Sequence, residues 1–107
     1  MTVNEYHREA MRTAPELDHQ HMLIDAALGL AGESGEVADI VKKANYQGHL
    51  LDKDAIEKEL GDIAWYIALA CQALGVPLQE VLQKNIDKLR QRYPNGFDTW
   101  MSRNRTE

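Results

Sequence analysis

Residues 30–41 read LAGESGEVADIV and residues 56–68 read IEKELGDIAWYIA, and both stretches have the apolar period of an amphipathic helix. Each stretch contains two carboxylates that are three residues apart: Glu33 with Glu36, and Glu59 with Asp62. Residues at this spacing are neighbours on a helix surface, where like charges repel each other. Two such pairs on adjacent helices would form an all-oxygen pocket, which suits hard divalent cations such as Mg²⁺.

The apolar residues around the two pairs place the carboxylates beside buried faces. At about 100° per residue, Glu33 lies within the apolar stripe of its helix and Glu36 lies at the edge of that stripe. Glu59 and Asp62 border the stripe of the other helix. An unpaired carboxylate beside a core is costly or takes up a proton, and a bound cation removes both problems. The alternative is that these are ordinary solvated carboxylates, since 17 of the 107 residues are acidic.

Length and composition narrow the class of protein. A chain of 107 residues fits one domain. The net charge of −5 argues against non-specific nucleic-acid binding, which needs a basic face. The apolar runs are too short to span a membrane, and the N-terminus lacks the apolar stretch of a signal peptide. The single cysteine, Cys71, cannot form an internal disulfide. We therefore expect a cytoplasmic protein that binds neither nucleic acid nor membrane.

The helix signals predict an all-α, four-helix-bundle-like domain over residues 1–97, followed by a polar tail over residues 98–107. The predicted start and stop residues of the four helices are, in order, Thr2 and Pro15, Asp18 and Asn45, Asp52 or Asp54 and Gly75, and Pro77 and Tyr93. No segment alternates with a period of two, so no sheet is expected. The second half of the third helix is apolar nearly all round, which indicates a subunit interface as readily as an internal core. We expect dimerisation to complete the domain.

Two further patterns carry expectations about local structure. Gly29, Gly32 and Gly35 recur every third residue within the second helix, where each glycine is unfavourable relative to alanine. This repetition predicts either a kink or a very close approach of a partner backbone. His7 and the other isolated histidines are expected on the surface.

The fourth helix carries a second group of polar residues. Asn85 falls within its apolar stripe, and Lys88 and Arg92 follow along the flank of that stripe. An inward amide beside two cations suits a ligand with phosphates and a hydrogen-bonding base or sugar. Alternatively, Asn85 is a buried residue that only fixes helix register. Lys43 is a further candidate for phosphate binding, and so is Tyr66, one turn after Asp62.

Three segments of the chain resemble a known family. They are LGLAGESGEVADIVKKANYQGH at residues 28–49, EKELGDIAWYIA at residues 57–68 and NIDKLRQRYPNGF at residues 85–97. Together they resemble the MazG-like nucleoside triphosphate pyrophosphohydrolases of the all-α NTP pyrophosphatase superfamily. The resemblance implies Mg²⁺-dependent hydrolysis of a (deoxy)nucleoside triphosphate to the monophosphate and pyrophosphate, with Mn²⁺ as a substitute cation.

The resemblance also implies roles for individual residues. The metal ligands would be Glu33, Glu36, Glu59 and Asp62. Asn85 and Lys88 match the downstream positions that family members use towards the nucleotide. Proteins of this family usually assemble as homodimers or dimer-based tetramers, which agrees with the apolar third helix.

The reaction requires a group that takes a proton from the attacking water. A carboxylate that is not fully committed to the metal can do this, and we predict Glu33 for the role, with Glu36 next. The main alternative function is a non-catalytic module that binds a nucleotide or a partner through the same acidic cleft. A di-iron protein is a weaker alternative, because Glu16 and His19 form a single E-x-x-H motif and that architecture requires two.

Overall fold

The computed structural model describes residues 1–105, and this part of the chain is predominantly helical. Its five α-helices are, in chain order, α1 Val3–Ala10, α2 His19–Tyr46, α3 Lys53–Leu74, α4 Leu78–Arg92 and α5 Thr99–Arg103. A 3-10 turn, Met11–Thr13, follows α1. Residues 1–105 contain no β-strand, only an isolated bridge between Pro94 and Gly96. The prediction of an all-α fold is confirmed.

Side-chain caps fix the starts of the first three helices. Thr2 caps α1 and Asp18 caps α2, as the sequence predicted. Of the two candidates for α3, Asp52 is the cap, because its Oδ1 accepts the N–H of Ala55 at 3.0 Å. Asp54 lies in the first turn of the helix instead. These bonds satisfy backbone N–H groups that a helix start leaves without partners.

A residue of α1 forms a hydrogen bond where the turn between α3 and α4 ends. α3 ends at Gly75, which has the left-handed φ of +71° that favours glycine. α4 begins at Leu78, one residue later than predicted, and Pro77 occupies its cap position without a capping side chain. The cap comes from His7, whose Nδ1 accepts the Leu78 N–H at 3.1 Å. The expectation that His7 is a surface residue was therefore wrong, because capping α4 holds the ring in a half-buried position.

The core lies on both sides of α3. The α2–α3 interface buries Met22, Ala26, Leu69 and Ala73. A second cluster joins α3 to α1 and α4, and its buried members are Ala68, Cys71 and Leu78. Trp65 ties α1 and the turn after it to α3, since its Nε1 donates to the carbonyl of Ala10 and to Oγ1 of Thr13, each at 2.9 Å. This burial on both sides explains why α3 is apolar nearly all round.

The three glycines of α2 differ in their surroundings. The helix runs unbroken through Gly29, Gly32 and Gly35, and the structure shows a close approach, the second of the two predicted alternatives. It occurs at one of the three, and with a side chain rather than a backbone. A Cβ at Gly29 would overlap the ring of Tyr66, whereas a Cβ at Gly32 or Gly35 would have no neighbour within 4 Å.

α4 leaves its apolar stripe uncovered in the single chain. The exposed fraction lies between 37% and 43% for the four residues Val81, Leu82, Ile86 and Leu89. Asn85, expected to be buried in this stripe, is exposed with it. The accessible surface of the chain is 8026 Å², compared with about 6000 Å² for a compact monomer of this mass. Its radius of gyration is 17.0 Å, where about 13 Å is typical for this length.

The predicted polar tail contains a short helix. Asp98 caps α5 by accepting the N–H groups of Trp100 at 2.7 Å and Met101 at 3.3 Å. The sequence had predicted four main helices and a tail after them, so α5 is an addition to that prediction. Residues 106–107 of the predicted tail lie outside the described residues.

Within residues 1–105 we find no single helix that is both long and apolar enough to cross a membrane. α3 and α4 together meet the criteria of length and composition, but a bend of 103° separates them.

Candidate metal centre

Three carboxylates from α2 and α3 converge at the helix interface. One oxygen each from Glu33, Glu59 and Asp62 lies within 4.8 Å of the other two. Glu33 and Glu59 are half-buried, and Asp62 is exposed. Glu36 is exposed and lies outside this trio, but its carboxyl group contacts that of Glu59. The fold thus brings the two acidic pairs together, as their spacing in the sequence predicted.

Two oxygens of this cluster have no hydrogen-bond partner. Oε2 of Glu33 and Oε2 of Glu59 are buried, and no donor among the described residues reaches them. A buried acceptor without a partner is unfavourable, and a buried negative charge is more so. The cluster therefore requires protons or a cation. Its donors are all carboxylate oxygens, which fit Mg²⁺ or Mn²⁺ rather than a metal that prefers sulfur or imidazole ligands.

Crowding raises the pKa of two of these carboxyl groups. For Glu59, the main cause is the neighbouring Glu33 carboxyl group, because only a protonated form can hydrogen-bond to it; burial adds to this effect, and the opposite effect of Glu36 does not outweigh them. For Glu36, the main cause is a hydrogen bond to Glu59, with the negative charges of Glu59 and Asp62 also contributing. Hydrogen bonds between carboxyl groups need protons, so a bound cation would take the place of those protons.

A cavity of about 240 Å³ opens beside the carboxylates. Glu33 and Asp62 form its acidic wall, and Trp65 and Tyr66 form its aromatic wall. The two rings meet edge to face, with centroids 5.0 Å apart and an interplanar angle of 87°. An acidic wall that can hold a cation beside an aromatic wall suits a phosphorylated ligand with a sugar or base.

Sequence reasoning missed two residues near this centre. Trp65 was treated only as part of an apolar helix, although its position three residues after Asp62 places it beside that carboxylate. Tyr6 of α1 lies close enough to Asp62 for the charge of that carboxylate to affect it. The pKa of Tyr6 is raised by burial and then by the charge of Asp62. The inward face of α1 was the available signal for Tyr6, but a sequence alone does not show which part of α3 that face meets.

Only one of the five residues predicted for phosphate binding lies at this cavity. Tyr66 lines the cavity with the carboxylates. The remaining four, none of which lines it, are Lys43, Asn85, Lys88 and Arg92. The ammonium of Lys43 lies 2.9 Å from Oδ2 of Asp39, and this contact lowers the pKa of Asp39. Asn85 and Lys88 lie on the exposed surface of α4. The roles of these four residues stay predictions.

The fold and this site define an all-α protein with a cluster of carboxylates between two long helices, arranged so that it can hold a metal ion. The family model of the MazG nucleotide pyrophosphohydrolase domain matches residues 23–97, and the chain belongs to this family. The matched residues include both acidic pairs. The family consists in general of nucleotide pyrophosphohydrolases, which are hydrolases.

A second comparison gives a relative from a virus. The Gene 37 protein of Mycobacterium phage L5 is 37% identical over 92 residues, covering 78% of this chain and 76% of that protein. No solved structure matches the chain at a significant level.

Proposed function

We propose that this protein hydrolyses a (deoxy)nucleoside triphosphate to the monophosphate and pyrophosphate, with Mg²⁺ as its cofactor and Mn²⁺ as a substitute. The observation that carries the proposal is the meeting of Glu33, Glu59 and Asp62, with two buried oxygens that have no hydrogen-bond partner. Membership of the MazG family supports the class of reaction. Water would attack the α-phosphorus, and pyrophosphate would leave.

The carboxylates and the aromatic residues around the cavity would have different roles. Glu33, Glu59 and Asp62 would hold the cation, with Glu36 beside them. When bound, the cation would neutralise charge on the phosphoryl oxygens and acidify the attacking water. Trp65 and Tyr66, which form the aromatic wall, would contact the nucleoside part of the substrate and shield that side of the cavity from solvent.

The water's proton would pass to a carboxylate oxygen that is not committed to the cation. Glu36 fits this role, because it lies outside the trio and its pKa is raised by its contact with Glu59. Glu33, which the sequence favoured, is the second candidate, because its carboxylate belongs to the trio. We therefore place Glu36 ahead of Glu33 as the proposed general base.

The test is a panel of ribo- and deoxyribonucleoside triphosphates incubated with Mg²⁺, followed by identification of the products. We expect release of pyrophosphate and the monophosphate, with loss of activity on chelation of Mg²⁺ and in Glu59→Gln. Release of orthophosphate would place the attack at a different phosphorus. Mg²⁺-dependent nucleotide binding without any product would favour the alternative function, a binding module.

We propose that the enzyme acts in the cytoplasm, where the buried thiol of Cys71 stays reduced. We also propose that it assembles as a homodimer or as a tetramer built from such dimers. The support for assembly is the uncovered stripe of α4 together with an accessible surface about 2000 Å² larger than that of a compact monomer. A standard interface needs only about 800 Å² from each partner, so the excess is sufficient for a stable dimer.

A further inference from the structure

Of the three glycines of α2, Gly29 is the one that lies against the aromatic wall of the cavity. A Cβ at this position would overlap the Cδ1, Cε1 and Cζ atoms of Tyr66. The two following glycines of α2, Gly32 and Gly35, have no atom within 4 Å of a Cβ built there. Alanine is the better helix former at all three positions, so only Gly29 has a steric reason to lack a side chain.

Tyr66 is also restrained by its contact with Trp65. Its ring meets that of Trp65 edge to face at 5.0 Å. The indole of Trp65 is fixed in turn, because its Nε1 donates to the carbonyl of Ala10 and to Oγ1 of Thr13. A side chain at position 29 would therefore force the Tyr66 ring away from α2 and disturb its edge-to-face contact with Trp65. The space next to the ring is the cavity that Tyr66 lines together with Glu33 and Asp62.

The position of Gly29 along α2 links it to the metal-binding carboxylates. Glu33 follows Gly29 by four residues, so both lie on the same face of the helix. The turn that carries Glu33 into the acidic cluster thus also provides the surface against which Tyr66 packs. A side chain at position 29 would therefore move the aromatic wall relative to the acidic wall.

We propose that Gly29 is a positioning residue for the nucleotide, which seats the Tyr66 ring as a wall of the cavity and keeps it out of the space that the substrate occupies. This inference rests on the proposed function for the identity of the ligand. Gly29 acts through Tyr66 and does not itself contact the cation or the substrate. It therefore governs substrate binding more than the chemical step.

The experiment compares Gly29→Ala with Gly32→Ala, which makes the same change one turn along the same helix. For Gly29→Ala we expect KM to rise by about tenfold or more, with a smaller change in kcat. Mn²⁺ affinity without nucleotide should stay within about twofold of wild type, because the carboxylates are retained. The near-UV circular dichroism of the Tyr66–Trp65 pair should change. Gly32→Ala should resemble wild type in all of these measurements.

A double variant separates this role from a purely structural one. If Gly29 acts through the ring, Gly29→Ala/Tyr66→Ala should have the KM of Tyr66→Ala alone, so the two effects are not additive. A wild-type KM in Gly29→Ala, or additive effects in the double variant, would overturn the proposal. If Gly29→Ala does not fold, removal of the ring in the double variant must restore folding, and failure to do so would also overturn it.

The outcome is distinguishable from failure of the proposed function. If the wild-type protein releases no pyrophosphate from any triphosphate, the proposed function fails. The same variants are then compared by their affinity for a non-hydrolysable triphosphate analogue in the presence of Mn²⁺. An affinity that is equal in wild type and Gly29→Ala would overturn the positioning role by itself.

Discussion

At the scale of single residues, the carboxyl groups of Glu36 and Glu59 make the stability of the folded chain depend on pH. The pKa of each is raised in the folded chain from an ordinary value of 4.5, mainly by hydrogen bonding to a neighbouring carboxyl group. Between the ordinary and the raised value, the folded chain binds more protons than the unfolded chain. The free energy of unfolding of the metal-free protein therefore falls as pH rises through that window.

A cation held by the trio would compete with the proton of Glu59 for the same oxygens, which gives a first prediction. Addition of Mg²⁺ should raise the melting temperature more at about pH 7.5 than at about pH 5, because protons already relieve the repulsion in acid. Thermal unfolding with Mg²⁺ or with a chelator at both pH values measures this effect. In Glu59→Gln, both the pH dependence and the Mg²⁺ effect should be smaller. An equal shift at both pH values would contradict the site.

A second prediction separates the two candidates for the general base. Glu36→Gln should lower kcat by about a hundredfold or more, because a glutamine cannot take up the water's proton. It should largely retain Mn²⁺ binding, since Glu36 lies outside the trio. Glu33→Gln should weaken Mn²⁺ binding in addition to lowering activity. Titration of Mn²⁺ by electron paramagnetic resonance, together with steady-state kinetics, distinguishes them, and the reverse pattern would assign the base to Glu33.

At the scale of the helices, α4 depends on α1 for its start, because its cap position holds Pro77 and no capping side chain of its own. His7 supplies the missing acceptor for the Leu78 N–H. We predict that His7→Ala lowers the free energy of unfolding by about 1 kcal/mol, the usual cost of losing a helix cap. Urea unfolding measures this loss, and faster hydrogen exchange of the Leu78 amide would locate it. His49→Ala, at an exposed position outside the helices, should leave both unchanged.

The contrast between Asp18 and His7 shows which parts of the fold are readable from the sequence. Asp18 caps α2 through the amide of His21, three residues away, so a local pattern reveals it. His7 caps an amide 71 residues away, and no local pattern can show that contact. The same distinction applies to the site. Spacing within each helix predicted the acidic pairs, whereas the contribution of Tyr6 depends on how α1 packs against α3.

For the stripe of α4, the sequence predicted the periodicity correctly but the burial wrongly. Leu78 is buried, as expected for this face, but the residues further along the stripe remain exposed. Periodicity shows that a face avoids water, but it does not show whether the same chain covers it. This is the reason that Asn85 was expected in a buried environment and lies on the surface of the single chain.

At the scale of the whole molecule, the chain is too extended to be a compact monomer. Its surface and radius of gyration both exceed the values typical for 107 residues. An apolar groove of about 270 Å³ between α1, α3 and α4 lies next to the uncovered stripe, and Leu82 belongs to both. Burial of these surfaces against a second copy would extend the apolar core that the single chain forms around α3.

The last prediction tests this assembly through α4. Wild-type protein should have a solution mass of at least twice 12.1 kDa by light scattering. Ile86→Glu should shift the mass towards 12.1 kDa, because a charge in the stripe would have to be buried without a partner. Leu50→Glu is the matched control: Leu50 is 95% exposed, lies between α2 and α3, and is remote from the stripe in sequence, so the mass should not change. A monomeric wild type, or an Ile86→Glu variant with unchanged mass, would show that the stripe of α4 is not the interface.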